Sequence, residues 1–288
     1  MRVLVLGASG MIGNAMFRVV GEKAAWEVFG TARSNHFGRF FPPALAARLI
    51  TGIDVENRDV LTRLFGDVNP DLVINCIGLT KHHAQAHDPL LATPINTLLP
   101  HRLADMCRVS GARFIHVSTD CVFSGAKGNY VEGDAADATD VYGKTKFLGE
   151  VNAPNAVTLR TSTIGHELQS TYGLLEWFLS QKDRCKGYGR AIFSGLPSVA
   201  FAQVVRDVVI PKPELTGIFH VGAEPINKYD LLTLIARTYG KSIEIDRDES
   251  FVMDRSMNVQ RFRDATGYVA PGWPELITLM HNYRPVKN

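Results

Sequence analysis

The chain has 288 residues, 45% of them hydrophobic and 21% charged, with a formal net charge of +2. That length supplies apolar material for one large core or two modest ones. The 31 basic and 29 acidic residues form no long run of either sign, which argues against nucleic acid or another polyanion bound through bulk charge.

Met1-Arg2-Val3-Leu4-Val5-Leu6 imitates the start of a secretory signal, but Gly7, Ser9, Gly10 and Gly13 break the apolar run and no small-residue cleavage site follows. A buried strand entering a turn fits the same letters, and the expected compartment is the cytoplasm. No stretch approaches the roughly 18 apolar residues of a membrane span, so no membrane partner is expected. Strands are expected at Val3–Leu6, Glu27–Ala32, Leu49–Ile53, Leu72–Ile77, Arg113–Val117, Val157–Arg160 and Ile218–Val221. Helical patterns at Met11–Gly21, Asn96–Ser110 and Val141–Val151 lie between them. Near-continuous aliphatic runs such as Val-Leu-Val-Leu suit strands buried on both faces. Repeated strand–helix alternation therefore predicts an α/β fold, a doubly wound parallel sheet of Rossmann type. Residues 1–162 are expected to form the dinucleotide-binding domain, with a strand near 217–223 and its adjoining helix returning to it. Residues 163–288 are expected to be mainly substrate-binding. Thr163–Pro197 shows no strand–helix unit, and a final helix is expected from Pro274 to Tyr283. Cys76, Cys107, Cys121 and Cys185 have neither CxxC nor zinc spacing and read as reduced thiols.

Gly7-Ala8-Ser9-Gly10-Met11-Ile12-Gly13 follows the first strand and opens a helix. Glycines there let the chain turn tightly, let a pyrophosphate approach the backbone and let helix pack on strand. The helix N-terminus offers free N–H groups to phosphate. The spacing is GxxGxxG rather than GxGxxG, and a plain tight turn is the alternative; a strand before and a helix after favour the cofactor reading. The second strand ends at Thr31-Ala32-Arg33-Ser34. An NAD site places an acid there for the ribose 2′-hydroxyl, whereas a 2′-phosphate suits arginine. Arg33, with Ser34 or Arg39, thus points to NADP(H) in preference to NAD(H); a solvated loop arginine is the other reading. Asp54-Val55 is placed to meet the adenine edge. Asn75-Cys76-Ile77-Gly78 is placed to pass the pyrophosphate and nicotinamide ribose. All four segments fall at strand carboxyl ends, where ligands bind open α/β sheets.

Tyr142-Gly143-Lys144-Thr145-Lys146 puts a phenol and an ammonium four residues apart on one helical face. A lysine ammonium beside the phenol and the cationic ring of an oxidised nicotinamide are expected to lower its pKa from the usual value near 10. Ser118-Thr119-Asp120 ends the fifth strand, so a hydroxyl there can polarise a substrate carbonyl while Tyr142 supplies the proton. A surface Tyr–Lys pair is the alternative for YxxxK alone; the preceding strand-end Ser-Thr and the glycine turn favour chemistry.

These motifs resemble the extended short-chain dehydrogenase/reductase family, and within it the 4-keto-sugar-nucleotide reductases of the dTDP-4-dehydrorhamnose reductase kind. The likeness is carried by Gly7, Gly10 and Gly13, Asp54, Asn75-Cys76-Ile77, Ser118-Thr119-Asp120-Cys121-Val122-Phe123-Ser124-Gly125, Tyr142-Gly143-Lys144-Thr145-Lys146 and Leu159-Arg160-Thr161-Ser162. It implies a Thr119, Tyr142, Lys146 catalytic triad and a nucleotide-sugar substrate. Family dehydratases carry Thr-Asp-Glu where this chain has Thr119-Asp120-Cys121, which argues against elimination. The reductases carry Tyr at the Cys121 position, so the departure leaves the sugar open. A sugar-nucleotide epimerase and a non-catalytic NADP-binding regulatory subunit are the rival readings, and a homodimer is an open option.

Further candidates carry alternatives of equal plainness. Lys81, Asp120, Cys121, Arg255 and Arg261 are candidate substrate contacts, with Arg263 beside them; solvated or packing roles are the alternatives. His83 and His87 have helical spacing for a metal but no third ligand beside them or His82, and hydride transfer needs no metal. Trp177, Tyr172 and Phe178 are either base-stacking or core aromatics.

Overall fold

The alternation within Val3-Leu4-Val5-Leu6 divides the core in two, because successive side chains of a strand point to opposite faces. Val3 and Val5 pack with Met16, Phe17 and Val20 of the Met11–Val20 helix, and Leu4 and Leu6 pack with Leu61, Leu64, Leu103 and Cys107 on the other face. All four strand residues are fully buried, and each contributes about 1.5–3 kcal/mol through burial. A computed structural model describes residues 1–80 and 84–285.

Seven strands make the central sheet: β1 (Arg2–Leu6), β2 (Glu27–Ala32), β3 (Leu49–Thr51), β4 (Leu72–Asn75), β5 (Arg113–Thr119), β6 (Ala156–Thr161) and Gly217–His220. Their spatial order is Gly217–His220, β6, β5, β4, β1, β2, β3, and every pairing is parallel. The order reverses between β1 and β4. A crevice opens at their carboxyl ends at such a switch point. The late strand pairs with β6, from Gly217 opposite Val157 to His220 opposite Arg160, so the chain does return to the sheet.

Four expectations about local structure are corrected. The Asn96–Ser110 helix begins earlier: it is helical from Pro89–Ala92, passes through a widened turn at Thr93–Leu98 and continues as Leu99–Ser110. Pro94 and Pro100 lack an amide hydrogen, and such widened turns occur where the regular ladder is interrupted. Thr163–Pro197 is not free of regular structure. It contains the helix Leu174–Ser180 and the strands Thr163–Ile164, Arg184–Tyr188, Ala191–Phe193 and Leu196–Pro197. Those strands are short: Thr163–Ile164 and Leu196–Pro197 pair with each other, whereas the other two find partners outside the segment, Arg184–Tyr188 with Glu244–Asp248 and Ala191–Phe193 between Ile226–Asn227 and Met253–Asp254. The Tyr142 helix ends at Leu148 rather than Val151, and the last helix spans Trp273–Asn282.

Candidate active site

The glycine turn leaves β1 with Gly7 at φ +85°, a conformation open to glycine at little cost. Its amide donates to the Thr31 hydroxyl (3.2 Å), and the Ala8 amide donates to the Thr31 carbonyl (2.8 Å), which fastens the turn to β2. Gly13 is required by close approach: a β-carbon there would lie 1.9 Å from the Gly7 carbonyl oxygen. Gly10 caps the helix with extended backbone and no side chain, a β-carbon there meeting only the Gly7 oxygen at 3.6 Å, and Ser9, Met11 and Ile12 are partly exposed around it. The first-turn N–H groups of Met11, Ile12 and Gly13 lack intrahelical partners and suit an anion. This cradle fits the pyrophosphate of a dinucleotide.

The neighbouring strand ends converge on it. A β-carbon on Gly7 would meet the Ile77 side chain at 2.9 Å, so the first and fourth strand ends touch. Asn75 is buried; its side-chain Oδ1 accepts from the Ile77 amide (3.1 Å), and its Nδ2 faces His116 Nδ1 (3.2 Å). Cys76 and Gly78 follow at the edge of the crevice, and burial pushes the Cys76 thiol up to about 12. Arg33 is exposed just past the end of β2. Ser34 Oγ meets His36 Nδ1 at 2.5 Å, and Arg39 lies over the Phe40 ring. Asp54 is exposed and accepts from the Glu56 amide, while Val55 packs on the core.

Thr119 ends β5, and its hydroxyl lies beside the Tyr142 phenol while donating to Asp120 Oδ1 (3.2 Å) and accepting from the Cys121 amide (3.1 Å). Tyr142 starts the Val141–Leu148 helix, whose N-terminus is capped by the Asp140 carboxylate accepting from the Gly143 amide (2.7 Å). Gly143 lets that helix seat against the Cys121 carbonyl, which a β-carbon would meet at 2.2 Å. Lys146 lies on the same face, almost fully buried, and its ammonium donates to the Val117 carbonyl (2.8 Å). Burial lowers its pKa to about 8, with Glu150 opposing the shift.

Without a cofactor ring, Lys146 does not make the phenol more acidic. The ammonium is turned to Val117, and Tyr142 is pushed above its ordinary value by burial, then by Cys121, Asp120 and Asp140. Thr119 alone opposes them. A phenol so placed is protonated at neutral pH, which suits a proton donor.

The substrate-side candidates separate. Arg255 comes to the site: its Nη1 donates to Cys121 Sγ (3.4 Å), and its Nε is buried without a partner. Asp120 is buried beside Thr119. Arg261 is exposed and lies over the Phe219 ring, 4.9 Å away, and Arg263 is also exposed. Phe178 is a core residue, whereas Tyr172 and Trp177 are exposed. Lys81, His82 and His83 lie outside the described residues. Among the described residues, no group of three or more His, Cys, Asp or Glu could hold a metal.

Sequence reading missed Asn96. Fully buried in the widened turn, its side chain accepts from the Leu79 amide (2.8 Å) and donates to the Leu79 carbonyl (3.1 Å) and Thr145 Oγ1 (3.2 Å). It binds the loop after β4 to the Tyr142 helix. A lone amide between Ile95 and Leu98 in an apolar run was the available signal.

A parallel sheet with its glycine turn at the switch point, joined to a Thr–Tyr–Lys set, defines the short-chain dehydrogenase/reductase class. Within it, the chain belongs to the family described as the RmlD substrate binding domain, whose model matches residues 1–248. A probable low-salt glycan biosynthesis reductase of Haloferax volcanii is 33% identical over 170 residues, 57% of this chain; the chain spans 54% of that relative's length. A dTDP-4-dehydrorhamnose reductase of Aggregatibacter actinomycetemcomitans is 24% identical over 81% of this chain and 78% of its own. Methionine adenosyltransferase 2 subunit beta of Xenopus laevis is 25% identical over 83% and 72%. The fold is that of the solved dTDP-4-dehydrorhamnose reductase of Clostridium acetobutylicum, at TM-score 0.79 and 23% identity over 98% of this chain and 99% of that one. It is also that of the Bacillus anthracis reductase in complex with NADP, at TM-score 0.78 and 18% identity over 98% of both chains. No helix among the described residues is long and apolar enough to cross a membrane.

Proposed function

We propose that the protein is an NADP(H)-dependent reductase of a nucleotide-linked 4-keto-6-deoxysugar, serving deoxysugar and cell-surface polysaccharide formation. The observation that carries this reading is the Thr119 hydroxyl beside the Tyr142 phenol at the carboxyl ends of the sheet, with Lys146 one turn further along. NADP is named in the complex of the Bacillus anthracis reductase, and the glycine cradle and Arg33 support the same cofactor here. When bound, NADPH supplies a hydride to the carbonyl carbon. Tyr142 gives its proton to the carbonyl oxygen, which balances the reduction to an alcohol. The Thr119 hydroxyl orients that oxygen against the phenol. Lys146, mostly an ammonium below pH about 8, is the residue we assign to the nicotinamide ribose. Arg255, with a partnerless buried Nε, is the arginine we assign to the substrate's phosphate oxygens.

The domain division at residue 162 is part of the same proposal, with residues 163–288 carrying the sugar. NADPH consumption with dTDP-4-keto-6-deoxyglucose and its epimerised products tests the reading. Stoichiometric oxidation supports it, and conversion without net NADPH loss points instead to an epimerase.

The methionine adenosyltransferase beta-subunit relatives favour one second reading, a non-catalytic NADP-binding subunit of another enzyme. The complete Thr119, Tyr142, Lys146 set weighs against it, since a binding module has no use for a proton donor. NADPH binding without turnover of any keto sugar, together with copurification of an unrelated enzyme, would favour it.

A further inference from the structure

The loop after the Thr163–Ile164 strand crosses back to the glycine turn and the end of β2. At its start His166 is buried. Its carbonyl accepts from the Asn14 side chain of the glycine-turn helix (3.3 Å), and its ring lies between Glu176 Oε1 (2.9 Å) and the Tyr239 hydroxyl (3.0 Å). Glu167 closes the loop on itself, accepting from the Ser170 hydroxyl (2.8 Å) and the Gly173 amide (2.7 Å). Leu168 belongs to the same buried cluster as Phe40 and Phe41, which follow β2. Gln169, exposed next to Leu168, turns its Oε1 to His36 Nε2 at 3.0 Å, although the two residues are 133 positions apart in sequence.

His36 lies in the short helical turn Asn35–Phe40, just past Arg33 and Ser34. Its ring rests on Phe37, 4.2 Å between centroids, and its Nδ1 meets Ser34 Oγ at 2.5 Å. Gln169, His36 and Ser34 thus form one hydrogen-bonded chain. It ends where the second strand of an open α/β sheet meets the adenosine ribose. Its direction follows from the donors available. Gln169 Oε1 can only accept, so His36 Nε2 carries a hydrogen. A neutral ring then takes the Ser34 hydrogen at Nδ1 and leaves Ser34 only lone pairs for a ligand. A ring protonated at both nitrogens donates to Ser34 instead and frees the Ser34 hydrogen for a phosphate oxygen. A phosphate beside Arg33 favours that second arrangement, the added proton coming from solvent; an uncharged 2′-hydroxyl does not. The other charged or titratable groups on the two segments are Arg33, Arg39, His166, Glu167 and Tyr172, and Glu167, the one acid among them, is engaged within its own loop.

We propose that His36, held by Gln169, completes with Arg33 and Ser34 a subsite for the 2′-phosphate of NADP(H), so that a loop from beyond residue 162 takes part in choosing the cofactor. Arg33 and Ser34 are the groups that meet the phosphate. His36 is a positioning residue that orients Ser34, and Gln169 orients His36. The inference deepens the NADP(H) reading and rests on it.

Isothermal titration of the full chain with NADPH and, separately, with NADH tests it. His36→Phe keeps a ring on Phe37 and removes both nitrogens; His36 and Gln169 are exposed, so their variants should fold. The NADPH dissociation constant should rise about five- to tenfold in His36→Phe and about two- to fivefold in Gln169→Leu, with NADH binding unchanged. Gln169→Glu keeps an acceptor for Nε2–H and should preserve the wild-type preference. The double variant His36→Phe/Gln169→Leu should bind NADPH no more weakly than His36→Phe, because both changes break one chain. In His36→Phe, an unchanged NADPH constant, or an equal loss for NADPH and NADH, overturns the proposal. If Arg33→Ala nonetheless lowers the preference for NADPH, the NADP(H) reading survives that failure. A wild-type chain that binds NADH as tightly as NADPH sinks the reading itself, and this inference with it.

Discussion

Gly149 and Asn96 meet backbone to backbone: a β-carbon on Gly149 would lie 1.9 Å from the Asn96 carbonyl oxygen. The end of the Tyr142 helix is thereby pressed onto the widened turn at Thr93–Leu98, and Thr97 Oγ1 completes the contact by donating to the Thr145 carbonyl (2.8 Å). Gly149→Ala should force these segments apart, at about 1–3 kcal/mol of stability. Gly66 lies in the Arg58–Val68 helix with nothing within 4 Å of its β-carbon position, so Gly66→Ala should stabilise by about 0.5–1 kcal/mol. Urea unfolding of the two variants checks the opposite signs.

The two glycines of the first turn should also part company. Gly13→Ala places a methyl against the Gly7 carbonyl and should lower both stability and NADPH affinity. Gly10→Ala meets only the Gly7 oxygen, at 3.6 Å, and should fold normally. Its methyl adds bulk at the helix N-terminus proposed to hold the pyrophosphate, so its NADPH dissociation constant should rise about tenfold or more, as isothermal titration would show.

Lys146 gives a pH signature in the absence of ligand. Its folded pKa of about 8 lies below the ordinary 10.5. Between those values the unfolded chain binds more protons, so this residue's contribution to stability rises with pH across that window and is flat below it. The full span corresponds to about 3 kcal/mol. The stability difference between wild type and Lys146→Met should therefore move in favour of wild type from pH 8 to 10.5. Chemical denaturation across that range reads it directly, and a constant difference would contradict the buried ammonium.

Arg33 is the cofactor discriminator in the proposed function. Arg33→Asp exchanges a partner for a 2′-phosphate for one suited to a 2′-hydroxyl. The ratio of kcat/KM for NADPH over NADH should drop by about 10- to 100-fold, with the sugar-nucleotide KM little changed. An unaltered ratio would reduce Arg33 to the solvated arginine its exposure also allows.

Much of this was legible in the letters. Unbroken aliphatic runs such as Leu72-Val73-Ile74 disclose strands buried on both faces, and the glycine turn and Tyr142–Lys146 pair sit within single local motifs. What escaped depends on distant contacts. His36 and Gln169 meet from distant parts of the chain, and Asn96 acquires its partners from Leu79 and Thr145. The strands between Thr163 and Pro197 are two to five residues long, too short to show a period. The direction of the Tyr142 shift was hidden for the same reason. Helical spacing puts a lysine on the right face, but the Val117 carbonyl decides where its ammonium points.

The proton donor carries the proposed function, so the decisive measurement is single-turnover reduction of a nucleotide-linked 4-keto-6-deoxysugar by Tyr142→Phe loaded with NADPH. The variant should bind NADPH as tightly as wild type and reduce the sugar about a hundred- to ten-thousand-fold more slowly. Reduction at the wild-type rate would contradict the assignment of Tyr142 and the mechanism built on it.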